Sequence, residues 1–364
     1  MKIDSQYTLI NTNPKEHIYP SFLRKLWSAL VNSLIFFYSG LFIAYQIALR
    51  TPMGDLWWLR FVDIFGYFFY LPLPFLLPFL LFPQQRKSRS LALIIPLLFF
   101  VFEYGAAFTP RLQLAPPAIA QADIPVRVMT WNTYFDNPKV ENLVKAVAQE
   151  KPDILAVEEF GARYAKEFAE ALKAEYPYQL VYPSWKPTGY AVFSRYPLQE
   201  LLQPLPGFGA CPCVQAGVTI KDRQVTVIVI HPTIPYMKIN FDRRLPRLQA
   251  FDTYRQDIQH AAVLRRAATV KTPLLVVGDF NATDRMPILN GYRAVLTDAF
   301  REAGFGFGFS FPYNATFRSI SLPSLVRLDY IFHDASWRTL RSWMGQADGA
   351  DHRYVVADMV LAAP

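Results

Sequence analysis

Three uncharged apolar runs within the first 110 residues restrict this chain more than any other feature. The 24 residues between Lys25 and Arg50 carry no charge, a second run spans Phe65 to Pro83, and a third reaches from Ser90 to Phe108, broken only by Glu103. A helix crosses the hydrocarbon of a bilayer with about 20 mostly apolar residues, so three spans are expected at 27–49, 62–83 and 90–109. The first is not a cleavable signal peptide: its apolar run is too long, no small-residue cleavage site follows, and two more runs come after it. Pro72, Pro74 and Pro78 interrupt the second run, which a membrane helix tolerates when neighbouring helices cover the freed carbonyls.

Lys/Arg placement sets the expected orientation. Lys2, Lys15, Arg24 and Lys25 precede the first span and Arg86, Lys87 and Arg89 precede the third, while Arg50, Arg60 and Arg111 lie on the other side. Seven against three puts a tail of residues 1–26 in the cytoplasm, makes the chain a multi-pass protein of the cell membrane, and leaves everything after residue 109 extracytoplasmic. Glu103 is expected near the outer interface, with Trp57, Trp58 and Tyr104 in the interfacial belt. Residues 110–125, with Ala-Pro-Pro-Ala and little periodicity, read as a linker. Residues 126–364 form a second unit large enough to bury its own core.

The chain is 52% apolar and 16% aromatic, and the excess sits in the first unit. Its net charge of +8 divides evenly, with +4 on residues 1–124 and +4 on 125–364. A mildly basic second unit suits an anionic substrate without announcing nucleic acid. The two cysteines, Cys211 and Cys213, give no disulfide framework. A bridge across Cys-Pro-Cys closes a tight loop that geometry disfavours, so both are expected as small, partly buried thiols.

From Val126 the pattern changes to short apolar runs ending in polar residues: VRVMTWN, DILAVEE, YAVFS, VTVIVIH, PLLVVGDFN, LDYIF and VVADMVL, with helical stretches between several of them. Strand-rich runs with interspersed helices imply an α+β or α/β sandwich. Asn132, Glu159, His231, Asp279, Asn281, Asp329, Asp351 and His352 all fall at or just beyond strand ends, where a scaffold gathers functional groups. Hydrolysis of a phosphate ester needs an activated water, neutralised phosphoryl oxygens and a stabilised leaving group. Glu159 is a hard oxygen ligand suited to Mg²⁺, with Asn132 adding a neutral oxygen or a phosphate contact. Asp279 and Asn281 flank Phe280 and so are expected to share one face at period two, the first aligning water and the second donating to phosphate. His17, His260 and His333 lack such company and read as surface residues.

The series MTWN, PDILAVEE, FSRYPL, IVIH, VVGDFN, RLDYIF and ADH, in that order, resembles the endonuclease/exonuclease/phosphatase superfamily over about residues 126–362. The resemblance implies a four-layered sandwich with two central mixed β-sheets. It implies Glu159 rather than Glu158 as metal ligand, Asp351 near the metal, Asp329 as partner of His352, and His231 in a phosphate-contacting position. The implied cofactor is Mg²⁺ or Mn²⁺, and the implied chemistry is in-line attack of water with no covalent intermediate. The asparagine-rich stretch of DNA-repair relatives is replaced by HPTIPYMK, which weighs against an abasic-site enzyme.

The expected function is therefore a membrane-anchored, metal-dependent phosphoesterase acting on a phosphodiester or phosphomonoester, a membrane lipid among the candidates. A surface nuclease for DNA or RNA is the first alternative, and a non-catalytic sensor of a phosphorylated ligand the second. No obligate protein partner is evident. Residues 304–313, GFGFGFSFPY, read equally as a loop able to touch lipid or stack on a base and as a Phe-packed strand edge. Arg243, Arg244 and Arg247 offer a basic run after His231.

Overall fold

The structure, a computed structural model, describes residues 18–83, 85–109, 122–202, 212–240, 247–317 and 319–363. It divides into two compact units, one of residues 1–54 and 67–103 and the other of residues 55–66 and 104–364. The division does not follow the expected domain edges: twelve residues from between the first two apolar runs belong with the C-terminal unit.

The first unit holds α1 (Ile18–Leu49). Among the described residues, α1 and the helix Arg86–Phe108 are long and apolar enough to cross a membrane, or three segments are if a broken pair, Trp57–Ile64 with Gly66–Leu81, counts as one span. The second expected span is thus not a continuous helix. After α2 (Trp57–Ile64) the chain passes through a 3-10 turn at Gly66–Tyr70, the single α turn α3 (Leu73–Leu76), and another 3-10 turn at Leu77–Leu81. Pro72, Pro74 and Pro78 supply no N–H to an α ladder and block its regular geometry. The last apolar helix, α4 (Arg86–Phe108), carries Pro96.

Within this unit Phe42 is fully buried and its ring meets Tyr70 at 5.2 Å and Phe99 at 5.7 Å. Phe37, Leu91 and Phe102 are 70–90% exposed, an outward apolar surface that suits lipid better than water. Arg89 is buried, not displayed in a loop: it donates to Asn32 Oδ1 (2.7 Å), Ser28 Oγ (2.9 Å) and the Phe79 carbonyl (3.1 Å). Glu103 accepts from Tyr70 Oη at 3.0 Å.

The second unit adds, in chain order, β1 (Ile124–Asn132), α5 (Val140–Glu150), β2 (Ile154–Glu158), α6 (Ala165–Leu172), β3 (Tyr178–Tyr182), β4 (Tyr190–Ser194), β5 (Leu198–Leu202), β6 (Cys213–Ile220), β7 (Arg223–Ile230), β8 (Tyr236–Asn240), β9 (Arg247–Asp252), α7 (Tyr254–Ala267) and β10 (Leu274–Asp279). Then follow α8 (Ile288–Arg293), β11 (Thr297–Asp298), α9 (Ala299–Ala303), β12 (Thr316–Phe317), β13 (Ile320–Ser321), β14 (Asp329–His333), β15 (Trp337–Gly345) and β16 (Tyr354–Leu361). Two six-stranded mixed sheets result, in the orders β15-β16-β1-β2-β4-β3 and β11-β14-β10-β7-β6-β5. β8 and β9 form a separate two-stranded ribbon.

Strand alternation builds the layers. In β1, Val126 and Val128 face the other sheet while Met129 and Trp131 face α5 and α6. In β7, Val225, Val227 and Val229 face inward, and Ile228 and Ile230 lie in the outer core with residues of α7 and α8. One core therefore fills the gap between the sheets and one lies outside each, an α/β/β/α sandwich.

Cys213, buried at the start of β6, is disulfide-bonded, which overturns the free thiol expected there. His260 and His333 are likewise core residues, not surface ones. His260 bonds Tyr292 Oη (2.9 Å) and the Phe280 carbonyl (3.1 Å), and burial pulls it down to about 4. His333 pairs with Glu302 at 2.8 Å. His17, Arg243, Arg244, Cys211 and residues 110–121 of the linker lie outside the described residues.

Candidate active site

The inward stripe that buries valines between the sheets continues, two residues at a time, into polar side chains at one end of the sandwich. Val126 and Val128 lead to Thr130 and Asn132, Ile154 and Ala156 to Glu158, Val229 to His231, Val277 to Asp279, and Ile331 back to Asp329. Register holds them together: Asn132 pairs with Glu158 across β1 and β2, and Asp279 with Asp329 across β10 and β14. The same alternation that makes a dry core thus points a cluster of carboxylates and imidazoles into one gap.

Two backbone departures complete it. Glu159, next after β2, would face outward by alternation, but its φ of +52° turns it into the gap. A non-glycine residue there costs on the order of 1–2 kcal/mol, which only surrounding contacts offset. Asn281 sits at φ +49°, so it shares no strand face with Asp279. The expected period-two relation fails because the strand ends at Asp279; a tight turn instead lets the Asn281 N–H donate to Asp279 Oδ1 at 2.7 Å. Gly278, at φ +138°, runs so close to β7 that a Cβ would stand 2.1 Å from the Ile230 carbonyl oxygen.

Asp279 is the hub. Its Oδ2 accepts from Asn132 Nδ2 at 3.0 Å and lies 3.6 Å from His231 Nε2 and 3.7 Å from His352 Nε2. Asn132 Nδ2 also donates to Glu159 Oε1 (3.1 Å), whose partner Oε2 accepts from the Phe135 N–H (3.3 Å). His231 Nε2 stands 3.7 Å from Glu159 Oε1. The Asn281 side chain donates to the Pro232 carbonyl at 2.9 Å, tying the turn after β10 to the chain leaving β7.

His352 Nδ1 meets Asp329 Oδ2 at 2.9 Å, with both residues buried. Burial opposes charge on His352, but Asp329, Asp279 and Asp351 outweigh it and raise the imidazole to about 10. Burial likewise pushes the Asp329 and Asp351 carboxyls upward. Glu158 lies beneath, fully buried, with Oε1 accepting from Thr130 Oγ1 (2.9 Å) and burial lifting its carboxyl well above the usual range.

A divalent cation fits this donor set. Asp279, Asp329 and His352 offer ligand atoms within 4.8 Å of one another, and a 2.9 Å bond joins His352 Nδ1 to Asp329 Oδ2. The Glu159 carboxylate is the more accessible, its side chain 15% exposed. Asp351 Oδ1 is buried without a hydrogen-bond partner among the described residues, and Asp351 is close enough to interact electrostatically with Glu159 and Asp279. Hard carboxylate oxygens of this kind suit Mg²⁺ or Mn²⁺. Asn132 is oriented otherwise: its Oδ1 accepts from the Tyr134 N–H (3.1 Å), so its amide group bridges two carboxylates as a donor.

Two neighbours went unread in the sequence. The Phe311 ring lies 4.7 Å from the His352 ring, and Trp131 Nε1 donates to the His352 carbonyl at 3.2 Å. Phe311 belongs to the Gly-aromatic run, which is neither a free loop nor a sheet edge. Phe305 and Phe307 pack against Phe108, Phe307 also against Tyr104, and the Gly306 N–H donates to the Ala107 carbonyl at 2.7 Å.

Residues 129–352 match the model of the endonuclease/exonuclease/phosphatase family. Two solved structures are similar in fold. One is an endonuclease/exonuclease/phosphatase from Beutenbergia cavernae, at TM-score 0.50 and 21% identity over 66% of this chain and 72% of that one. The other is a family protein from Bacteroides thetaiotaomicron, at TM-score 0.50 and 16% identity over 66% and 98%. No curated protein matches by sequence.

Proposed function

Because the chain belongs to the endonuclease/exonuclease/phosphatase family, we propose that it is a membrane-anchored, divalent-metal-dependent phosphoesterase using Asp279, His352, His231, Asn281 and Asp329, with Glu159 and Asp351 holding the metal. The observation that carries this reading is Asp279, with a carboxylate oxygen within 4 Å of two imidazoles and an amide donor. Asp279 orients the attacking water. Asp329 orients the His352 ring and sustains its charge, so that Nε2–H faces the reacting group as a cationic donor. His231 and Asn281 add further hydrogen-bond donors. Bound Mg²⁺ or Mn²⁺ would neutralise phosphoryl oxygens and acidify water.

For the membrane half we propose three crossings, with the catalytic unit opposite the N-terminus and outside the cytoplasm. Asp63, just after the first span, pairs with Arg285 of the catalytic unit at 2.8 Å. The chain end of α4 also enters that unit. Both ends on one side require Gly66–Leu81 to cross, and its 16 residues of mixed 3-10 and α turns reach about 25–30 Å, close to the hydrocarbon thickness. A disulfide at Cys213 suits an oxidising compartment. The test is hydrolysis of bis-p-nitrophenyl phosphate by the full chain in detergent, expected with Mg²⁺ or Mn²⁺ and absent in excess chelator. Full activity in chelator would end the metal mechanism.

A further inference from the structure

We infer that the β8–β9 ribbon and α2 together form a bilayer-contacting ridge beside the active site, and that the substrate is a phosphoester of a lipid in the same membrane. This rests on the phosphoesterase reading above and adds the substrate class. The ribbon has two strands, pairing Tyr236 with Asp252 and Asn240 with Arg247. Both of its faces carry exposed apolar side chains: Tyr236 (58%), Met237 (42%) and Ile239 (40%), with Ile234 (61%) leading into it. A lone two-stranded ribbon is marginal in water, and adjacent uncovered apolar residues of this size mark a contact surface.

The occupant follows from the way the chain is tethered. Seven residues separate the end of α1 from α2, and one residue, Phe65, separates α2 from Gly66. A helix joined so closely to an apolar run at each end stays at the bilayer surface. Within the catalytic unit this same helix carries the ribbon: the Phe61 ring meets Phe251 of β9 at 5.7 Å, Leu59 is buried, and Asp63 holds Arg285. Trp57 and Trp58 remain exposed and suit the headgroup belt. Exposed Lys238 and Arg247 give the ribbon positive charge for anionic headgroups.

The ribbon is also a short step from the chemistry. Four residues separate His231 from Tyr236, a reach of at most about 17 Å. The first of them, Pro232, accepts from Asn281, so the segment is anchored at the site end. A phosphoester at headgroup depth therefore lies within reach of the cluster without leaving its membrane.

The test uses the full chain reconstituted into phosphatidylcholine vesicles doped in turn with phosphatidylglycerol, phosphatidic acid and phosphatidylinositol. Bis-p-nitrophenyl phosphate and single-stranded DNA are the soluble substrates. The triple variant Tyr236→Ser, Met237→Ser, Ile239→Ser should lose at least ~10-fold of lipid turnover while retaining turnover of the chromogenic ester, which also reports a folded site. Tyr236→Trp with Ile239→Leu should retain both. Equal turnover of lipid by variant and wild type overturns the inference, as does parallel loss on both substrates, which would make the ribbon part of the site itself. Wild-type cleavage of the chromogenic ester or DNA but of no lipid overturns it and leaves the phosphoesterase reading standing. Hydrolysis of nothing in the presence of Mg²⁺ or Mn²⁺ overturns both.

Discussion

Arg327 and His352 are both buried cations facing aspartates, and their surroundings differ in what is left unpaired. Around Arg327, Asp284 and Asp298 accept at all four carboxylate oxygens, from Arg293, Arg301, Arg327 and backbone N–H groups. Burial works against the Asp284 charge, but the three arginines hold its carboxyl below the usual range. Around His352 the balance reverses. Glu158, Glu159, Asp279, Asp329 and Asp351 share two histidines, and Glu158 Oε2, Asp329 Oδ1 and Asp351 Oδ1 have no hydrogen-bond partner among the described residues. In the first cluster every carboxylate oxygen is paired, and it ties together the segments that carry β11 and β14. The second holds more carboxylates than cations, an imbalance that concentrates at functional sites.

Removing the groups that face the reacting atoms should sharpen that contrast most. Asp279→Asn and His352→Ala are each expected to lower kcat by about 10²–10⁴-fold, with thermal unfolding of the full chain close to wild type. Wild-type turnover in both would break the enzymatic reading and favour a phosphate-binding sensor.

Arg327→Met should do the reverse. Leaving Asp298 buried without the Arg327 guanidinium costs on the order of 3–5 kcal/mol of stability, measured by denaturant unfolding. Unchanged stability would mean the complete cluster is not structural.

Metal should act on the incomplete cluster alone. Saturating Mg²⁺ or Mn²⁺, at 100 times Kd, should stabilise the protein by about 2.7 kcal/mol. Glu159→Gln and Asp351→Asn should abolish that gain in a thermal scan, and Arg293→Gln should leave it. A gain that survives Glu159→Gln would move the metal elsewhere.

Proton linkage gives a signed effect. The His352 imidazole is raised to about 10 from an unfolded value near 6.5, so its contribution is complete below pH ~6.5 and is lost as pH rises through about 10. In chelator, stability should therefore fall over that window, and Asp329→Asn should flatten the fall. The smallest effect is expected at Glu158. Burial already pushes it toward the neutral form, so Glu158→Gln should cost under ~1 kcal/mol and little activity. A loss as large as that of Glu159→Gln would exchange the two roles.

The strand runs, their polar ends and the family order were legible because inward alternation and strand-end chemistry are local patterns. The histidines show where local reading fails. His260, read as a surface residue, is buried and lowered to about 4, whereas His352 beside Asp351 is raised to about 10 by three aspartates. Only the packing distinguishes them. Asn281 was placed by strand periodicity, but the strand ends two residues before it, and the second apolar run looked like one helix until its prolines were given geometry.

The sequence by itself determined that a strongly apolar stretch, long enough to hold membrane-crossing helices, precedes a sandwich domain with acidic and imidazole groups at its strand ends, since hydrophobic period and turn chemistry are written residue by residue. Only the tertiary structure decided that Glu159 turns inward, that Arg89 is buried, and that α2 joins the catalytic unit through Asp63 and Phe61. Those outcomes depend on contacts between segments tens to hundreds of residues apart, and no local pattern encodes which of many distant partners will meet.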